Sequence, residues 1–130
     1  MIVVDASALV EVLLHGPKAE SVARILFAAG QTMHAPHLID IEVAHVLRRY
    51  AMRGDIASRR SVTALSDLAS LRLKRYPHKV FLPRIWELRN NLSAYDAVYV
   101  SLAEVLDAPL ITCDRRLAGA AGHDALIEVM

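Results

Sequence analysis

A chain of 130 residues has the length of one domain, enough to bury about two-thirds of its surface around a single core. The apolar fraction is high at 55%, yet charges such as Asp5, Glu11, Arg24, Asp40 and Arg48 interrupt every apolar run before it reaches the roughly 20 residues of a membrane span, so no transmembrane segment is expected. The net charge of +1 conceals an asymmetry: residues 48–89 hold eleven Lys and Arg against three acids, while the other segments hold four basic residues against eleven acids.

The amino terminus MIVVDASALV has no basic flank and meets an acid at once, unlike a secretory signal. Its β-branched run Ile2, Val3, Val4 predicts a buried strand ended by Asp5, and Leu9, Val10, Leu13 and Leu14 predict the helix that follows. Gly16 and Pro17 break the chain, a second helix is expected over 18–29, and Gly30 reads as its left-handed cap. Met33 to Ala35 is a weak second strand, with His34 and His37 placed in a surface loop around Pro36. Ile39, Val43, Val46, Leu47 and Tyr50 form the apolar stripe of a helix ending at Arg53 and Gly54.

Asp55 reads as the cap of the next helix, which runs through Ile56, Val62, Leu65, Leu68 and Leu71. A short strand is expected over Leu71 to Leu73, and Pro83 suits the first turn of a helix over Arg84 to Leu88. Ser93 and Asp96 match a capping signal for a helix continuing through Ala97, Val100, Leu102, Ala103 and Leu106. Leu110 to Thr112 is a strand, Asp114 starts a brief helix, and Leu126 to Val129 is the last strand. Cys113 is alone, so no internal disulfide forms, and a reducing cytoplasm is the expected setting. Strands alternating with helices predict an α/β fold, a mainly parallel sheet with helices on both faces.

Four carboxylates, Asp5, Glu42, Asp96 and Asp114, stand out from this pattern. Three lie where a strand or loop gives way to a helix, and in a parallel sheet those junctions share one edge. Each Asp alone reads equally as a helix cap. Glu42 differs, because Leu38, Ile39, His45 and Val46 surround it on its helix and none of them is Lys or Arg. Acids gathered at one edge repel one another, and a hard divalent cation, Mg²⁺ or Mn²⁺, relieves that repulsion. The histidines lack zinc-binding spacing and no cysteine pair occurs. No Gly-rich phosphate loop is present, and no D-x-D pair follows the first strand, which argues against a phosphatase or a phosphoacceptor domain. The basic segment suits a polyanionic substrate and equally a solvated helical face. Trp86 reads as core or interface packing, or as a stacking partner for a base.

The segments VVDASALVEVLL, IDIEVAHVLRR, LSAYDAVYVSLAEVL and PLITCDRRLA together resemble the PIN-domain family of metal-dependent nucleases, and more closely the VapC-type toxins of type II toxin–antitoxin pairs. The resemblance covers the whole chain, which reads as a single PIN domain over residues 1–130. It implies a three-layer α/β/α fold with a five-stranded parallel sheet. It also implies that Asp5, Glu42, Asp96 and Asp114 are catalytic, with Asp5 and Asp96 ligating Mg²⁺ and Ser7 and Thr112 as polar supports. The implied activity is Mg²⁺-dependent cleavage of RNA, in tRNA or rRNA, that inhibits translation. A non-catalytic PIN module binding RNA or protein is the alternative. Implied partners are RNA, a cognate VapB-type antitoxin and a second copy of the chain. Arg48, Arg49, Arg53, Arg59 and Arg60 are the candidates for gripping the RNA backbone. Some members carry a further acid just after the position of Asp114, where this chain has Arg115 and Arg116.

Overall fold

The computed structural model describes residues 1–130. The opening β-branched run forms β1 (Ile2–Val4), buried throughout, as a central parallel strand covered on both faces must be. It leads into α1 (Ala6–Leu13) and α2 (Ala19–Leu26), followed by β2 (Met33–Pro36), α3 (Leu38–Arg53), α4 (Ser58–Ser70) and β3 (Leu73–Tyr76). A single 3-10 turn at Lys79–Phe81 precedes α5 (Leu82–Glu87), α6 (Ala94–Leu106), β4 (Leu110–Thr112), α7 (Arg115–Ala118) and β5 (Ile127–Val129).

The five strands form one sheet in the order β3-β2-β1-β4-β5, and every neighbouring pair is parallel. Val3 stands opposite His34 on one side and Leu110 on the other. The chain therefore winds outward from β1 to β3, then returns through α6 to β4 on the far side of β1. α1 packs against α2, α3 and α4, whereas α6 lies across β1, β2 and β4 with α5 against it. Right-handed crossovers put these two groups on opposite faces of the sheet, giving the α/β/α layering expected. Ala97 to Ala103 are buried without interruption, which a helix wedged into the core requires; the Ser101 hydroxyl is satisfied by the Ala97 carbonyl at 2.7 Å. No helix is long and apolar enough to cross a membrane.

Several local expectations are corrected. α2 stops at Leu26, and Gly30, at φ +76°, belongs to the turn beyond it. Asp55 does not cap α4, because its N–H bonds the Tyr50 carbonyl at 2.9 Å while the Gly54 N–H bonds Ala51. That pair of bonds, with Gly54 at φ +76°, is a Schellman closure of α3, and α4 starts later, capped by Ala57 without a side-chain bond. β3 lies over Leu73–Tyr76 and not over Leu71–Leu73, since the Leu71 N–H still closes α4 on Leu68. Pro77, which lacks an N–H for the ladder, follows the strand's end. His34 is inside β2, 6% exposed, bonded to the Tyr76 hydroxyl at 2.8 Å and to Thr32 Oγ1 at 2.9 Å, while His37 is exposed as expected. Trp86 is not core: it is 68% exposed with the Arg89 guanidinium 4.9 Å from its ring centre.

Candidate active site

The strand order reverses between β1 and β4, and the carboxyl ends of those two strands bound the crevice where open parallel sheets bind ligands. Asp5 stands at the end of β1 and caps α1: its Oδ1 accepts the Ser7 N–H at 2.8 Å. Its Oδ2 accepts the hydroxyls of Ser7, at 3.0 Å, and of Thr112 across the sheet. Two donors fill Oδ2, so the lone pair still open for a further partner is on Oδ1.

Thr112, fully buried at the end of β4, also accepts the Asp114 N–H at 3.0 Å, and Ser7 Oγ accepts the Cys113 N–H at 2.8 Å. The two hydroxyls thus weld the β1–α1 junction to the β4–α7 junction, and the structure brings both of them onto the carboxylate of Asp5.

Asp114 caps α7, its Oδ1 accepting the Arg116 N–H at 2.9 Å. The Arg116 guanidinium then folds back on the same carboxylate at 2.7 Å and holds it below the usual carboxylate range. Asp96 enters from the first turn of α6, where its N–H bonds the capping Ser93 hydroxyl at 3.2 Å. Burial raises its pKa, the Ser93 hydroxyl opposes the rise, and the charges of Asp5 and Asp114 add to it.

Glu42 comes from the second turn of α3 on the other side of the crevice. Burial pushes its carboxyl up to about 7, helped by the charges of Asp5 and Asp96 and opposed by the nearby Tyr99 hydroxyl. One of its oxygens, Oε1, is buried with no partner. Leaving a buried polar atom unpaired costs about 1–3 kcal/mol, so this oxygen is placed for something other than packing. Asp5 is the centre of the group, bearing on Glu42, Asp96 and Tyr99 alike. The four acids converge without closing: no three come into position to hold a common metal ion.

The donor set still suits a hard divalent cation. It is all oxygen, and two of its carboxyls are pushed toward neutrality by burial and mutual repulsion. A cation between Asp5 and Asp96 would remove the repulsion and draw Glu42 into its shell.

A hollow beside Glu42 is lined by Leu38, Ile41, His45, Val46, Arg49 and Tyr95. Helical spacing puts Arg49 and Arg53 within about 20° of the Glu42 face of α3, and Arg48 about 120° round from it. Arg48, Arg49, Arg53 and Arg59 are exposed. Arg60 is not: its guanidinium donates to the Leu13 carbonyl at 2.8 Å and ties α4 to α1. Arg75 and Arg84 are also committed, to Asp40 and to Glu104. Tyr99 is the residue that the sequence reading missed. The signal available was its place three residues after Asp96, on the same helical face.

A PIN-domain family profile matches residues 2–122. The chain is 43% identical to ribonuclease VapC12 of Mycobacterium tuberculosis over 130 residues, covering all of this chain and 99% of the other. It is 48% identical to ribonuclease VapC9 of the same organism over 118 residues, 91% of this chain and 89% of that one. Among solved structures, VapBC2 from Rickettsia felis bound to a DNA fragment from its promoter superposes with a TM-score of 0.72 at 16% identity, covering 99% and 98% of the two chains. The last resemblance concerns the fold, while the match to VapC12 takes in the whole chain and with it the segments that carry Asp5, Glu42, Asp96 and Asp114; this chain belongs to the PIN-domain family, among the VapC ribonucleases.

Proposed function

We propose that this protein is the toxin of a type II toxin–antitoxin pair and a metal-dependent endoribonuclease whose catalytic acids are Asp5, Glu42, Asp96 and Asp114. The observation that carries the proposal is the gathering of Asp5, Glu42 and Asp96 at the carboxyl ends of β1 and β4, where burial and like charge raise the carboxyls of Glu42 and Asp96. Such a group fits a site completed by a cation and an anionic substrate. Relatives named as ribonucleases support the same activity.

Asp5 and Asp96 would hold Mg²⁺ or Mn²⁺. When bound, the ion supplies a Lewis acid for a phosphate oxygen and lowers the pKa of a coordinated water. Asp5 contributes its open Oδ1, while Ser7 and Thr112 fix the carboxylate plane through Oδ2. Glu42 orients the attacking water and is the carboxylate placed to take its proton. Asp114, kept charged by Arg116, adds negative charge at the far corner of the site. Arg49 and Arg53 grip RNA phosphates along the stripe that begins at Glu42. Attack by water in line with the P–O3′ bond breaks that bond, the 3′ oxygen leaving as the hydroxyl of one fragment and the phosphate staying on the 5′ end of the other. A structured tRNA or rRNA with an unstacked loop is the substrate class, because only splayed nucleotides reach a crevice of this kind.

A VapB-type antitoxin would silence the site by offering Arg or Lys to the same carboxylates. A second copy of the chain suits the apolar surface beside the crevice, where Ile41, Leu82 and Tyr95 are each more than half exposed. The test is cleavage of total cellular RNA by antitoxin-free protein with Mg²⁺, Mn²⁺ or EDTA, beside Asp96→Asn. Discrete cuts that need both metal and Asp96, with Asp96→Asn down at least about 100-fold, are expected. Equal cutting by a folded Asp96→Asn protein would sink the assignment.

A further inference from the structure

Tyr99 is 2% exposed in the middle of α6, one helical turn beyond Asp96, and its hydroxyl is buried without a hydrogen-bond partner. A phenylalanine would pack the same ring with no such penalty, so the hydroxyl needs a partner. The groups whose charge bears on it are all acids, Glu42, Asp5 and Asp40, and an ionised acid can only accept. Asp40 is already held bidentately by Arg75, at 2.7 and 2.8 Å. Asp5 already takes the Ser7 N–H and the hydroxyls of Ser7 and Thr112. Glu42 alone has a buried oxygen with no donor. Hydroxyl and carboxylate are thus two unsatisfied buried groups of opposite hydrogen-bonding type, facing each other from α6 and α3.

We propose that Tyr99 is a positioning residue for the active site: its hydroxyl donates to one oxygen of Glu42 and thereby aims the other at the space between Asp5 and Asp96. The inference rests on the metal-dependent nuclease reading and adds to it an aromatic residue that touches neither metal nor RNA. A Glu side chain has three torsions to fix. No side chain of α3 hydrogen-bonds the Glu42 carboxylate, whose helical neighbours are Leu38, Ile39, His45 and Val46. The support therefore comes from across the core, from the same helix that delivers Asp96. A single rigid element then sets the separation of two of the acids, one directly and one through a phenol.

The test is Tyr99→Phe in the full chain, in the wild-type and Glu42→Ala backgrounds, with three readouts: thermal melting without metal, Mn²⁺ binding followed by electron paramagnetic resonance, and RNA cleavage resolved into kcat and KM. With the ring retained, melting is expected to stay cooperative. Mn²⁺ affinity and kcat are each expected to fall about tenfold, the scale of losing a partner behind a ligating carboxylate, with KM for RNA unchanged. In the Glu42→Ala background, where the hydroxyl has no side-chain oxygen to aim, the same substitution should change neither. Wild-type Mn²⁺ affinity and kcat in Tyr99→Phe, or an equal loss in both backgrounds, would overturn the proposal. Wild-type protein that binds Mn²⁺ and cuts no RNA would instead count against the nuclease reading, and the Mn²⁺ comparison would still decide the role of Tyr99.

Discussion

Arg116 lays its guanidinium along the carboxylate of Asp114, with Nη2 2.7 Å from Oδ2 and Nε 3.1 Å from Oδ1. The pair is local, cap and first-turn residue of a four-residue helix, yet its effect is not, because Arg116 also lowers the pKa of Asp96 while Asp114 raises it. The site carries a positive charge of its own at one corner. A divalent cation approaching Asp114 competes with that charge.

Arg116→Ala is therefore expected to tighten metal binding. Arg116 is almost fully exposed, so screening keeps the effect small, about two- to fivefold in Mn²⁺ affinity and shrinking as salt rises. Melting temperature should not move. Mn²⁺ titration at low and at 0.5 M salt, on the order of a 4 Å Debye length, checks both parts; weaker binding in the variant would reverse the reading.

Metal-free protein should be more stable at pH 5 than the ordinary carboxylate values suggest. Glu42 has a folded pKa of about 7 against 4.5 unfolded. A group raised in this way contributes stability that is complete below 4.5 and lost as pH climbs through about 7. Asp96 shifts in the same direction. His34 works oppositely: burial lowers its pKa, so its share is present above 6.5 and lost as pH falls. Glu42→Gln isolates the first effect. Urea melts in EDTA are expected to show the variant about 1–2 kcal/mol more stable than wild type at pH 8, a value discounted for partial exposure, with the gap closing at pH 5. A gap that is the same at both pH values would count against a strained Glu42.

Much of the site was legible because caps are local. Asp5, Ser93 and Asp114 announce helix starts by chemistry confined to three residues, and each start falls at a strand or loop boundary. Glu42 was legible by contrast with its apolar neighbours. Tyr99 was not, since an aromatic in the middle of an apolar helix reads as packing until α3 is placed opposite it. The basic segment misled in a related way: composition counts Arg60, Arg75 and Arg84 as available charge, while the fold commits them to Leu13, Asp40 and Glu104. β3 was misplaced because the bond that closes α4 at Leu71 has no sequence signature.

Thr112→Val tests the weld between β1 and β4. Valine keeps the shape and deletes the buried hydroxyl's contacts with Asp5, Asp114 and Ser7, leaving Asp5 Oδ2 with Ser7 alone and the Asp114 N–H with no partner. The expected cost is about 1–3 kcal/mol of folding stability and about a tenfold or greater loss of cleavage as Asp5 loses its orientation. Ser7→Ala should behave alike, because Ser7 Oγ serves Asp5 and the Cys113 N–H in the mirrored way. Loss of stability with full activity would show that the weld holds the fold without setting the ligand.

The arginines divide into two groups that the same pair of assays separates. Arg49 lines the hollow beside Glu42 and donates no side-chain hydrogen bond within the chain, whereas Arg60 donates to the Leu13 carbonyl and joins two helices. Arg49→Ala is expected to leave melting unchanged, weaken binding of RNA to Asp96→Asn protein, and reduce the slope of log affinity against log salt by about 0.7, the value for one phosphate contact on a single strand. Arg60→Ala should do the reverse, losing about 1 kcal/mol of stability with the backbone bond and keeping the salt slope. If the slope falls with Arg60 and not with Arg49, the RNA runs along α4 and the crevice beside Glu42 is entered from the other side.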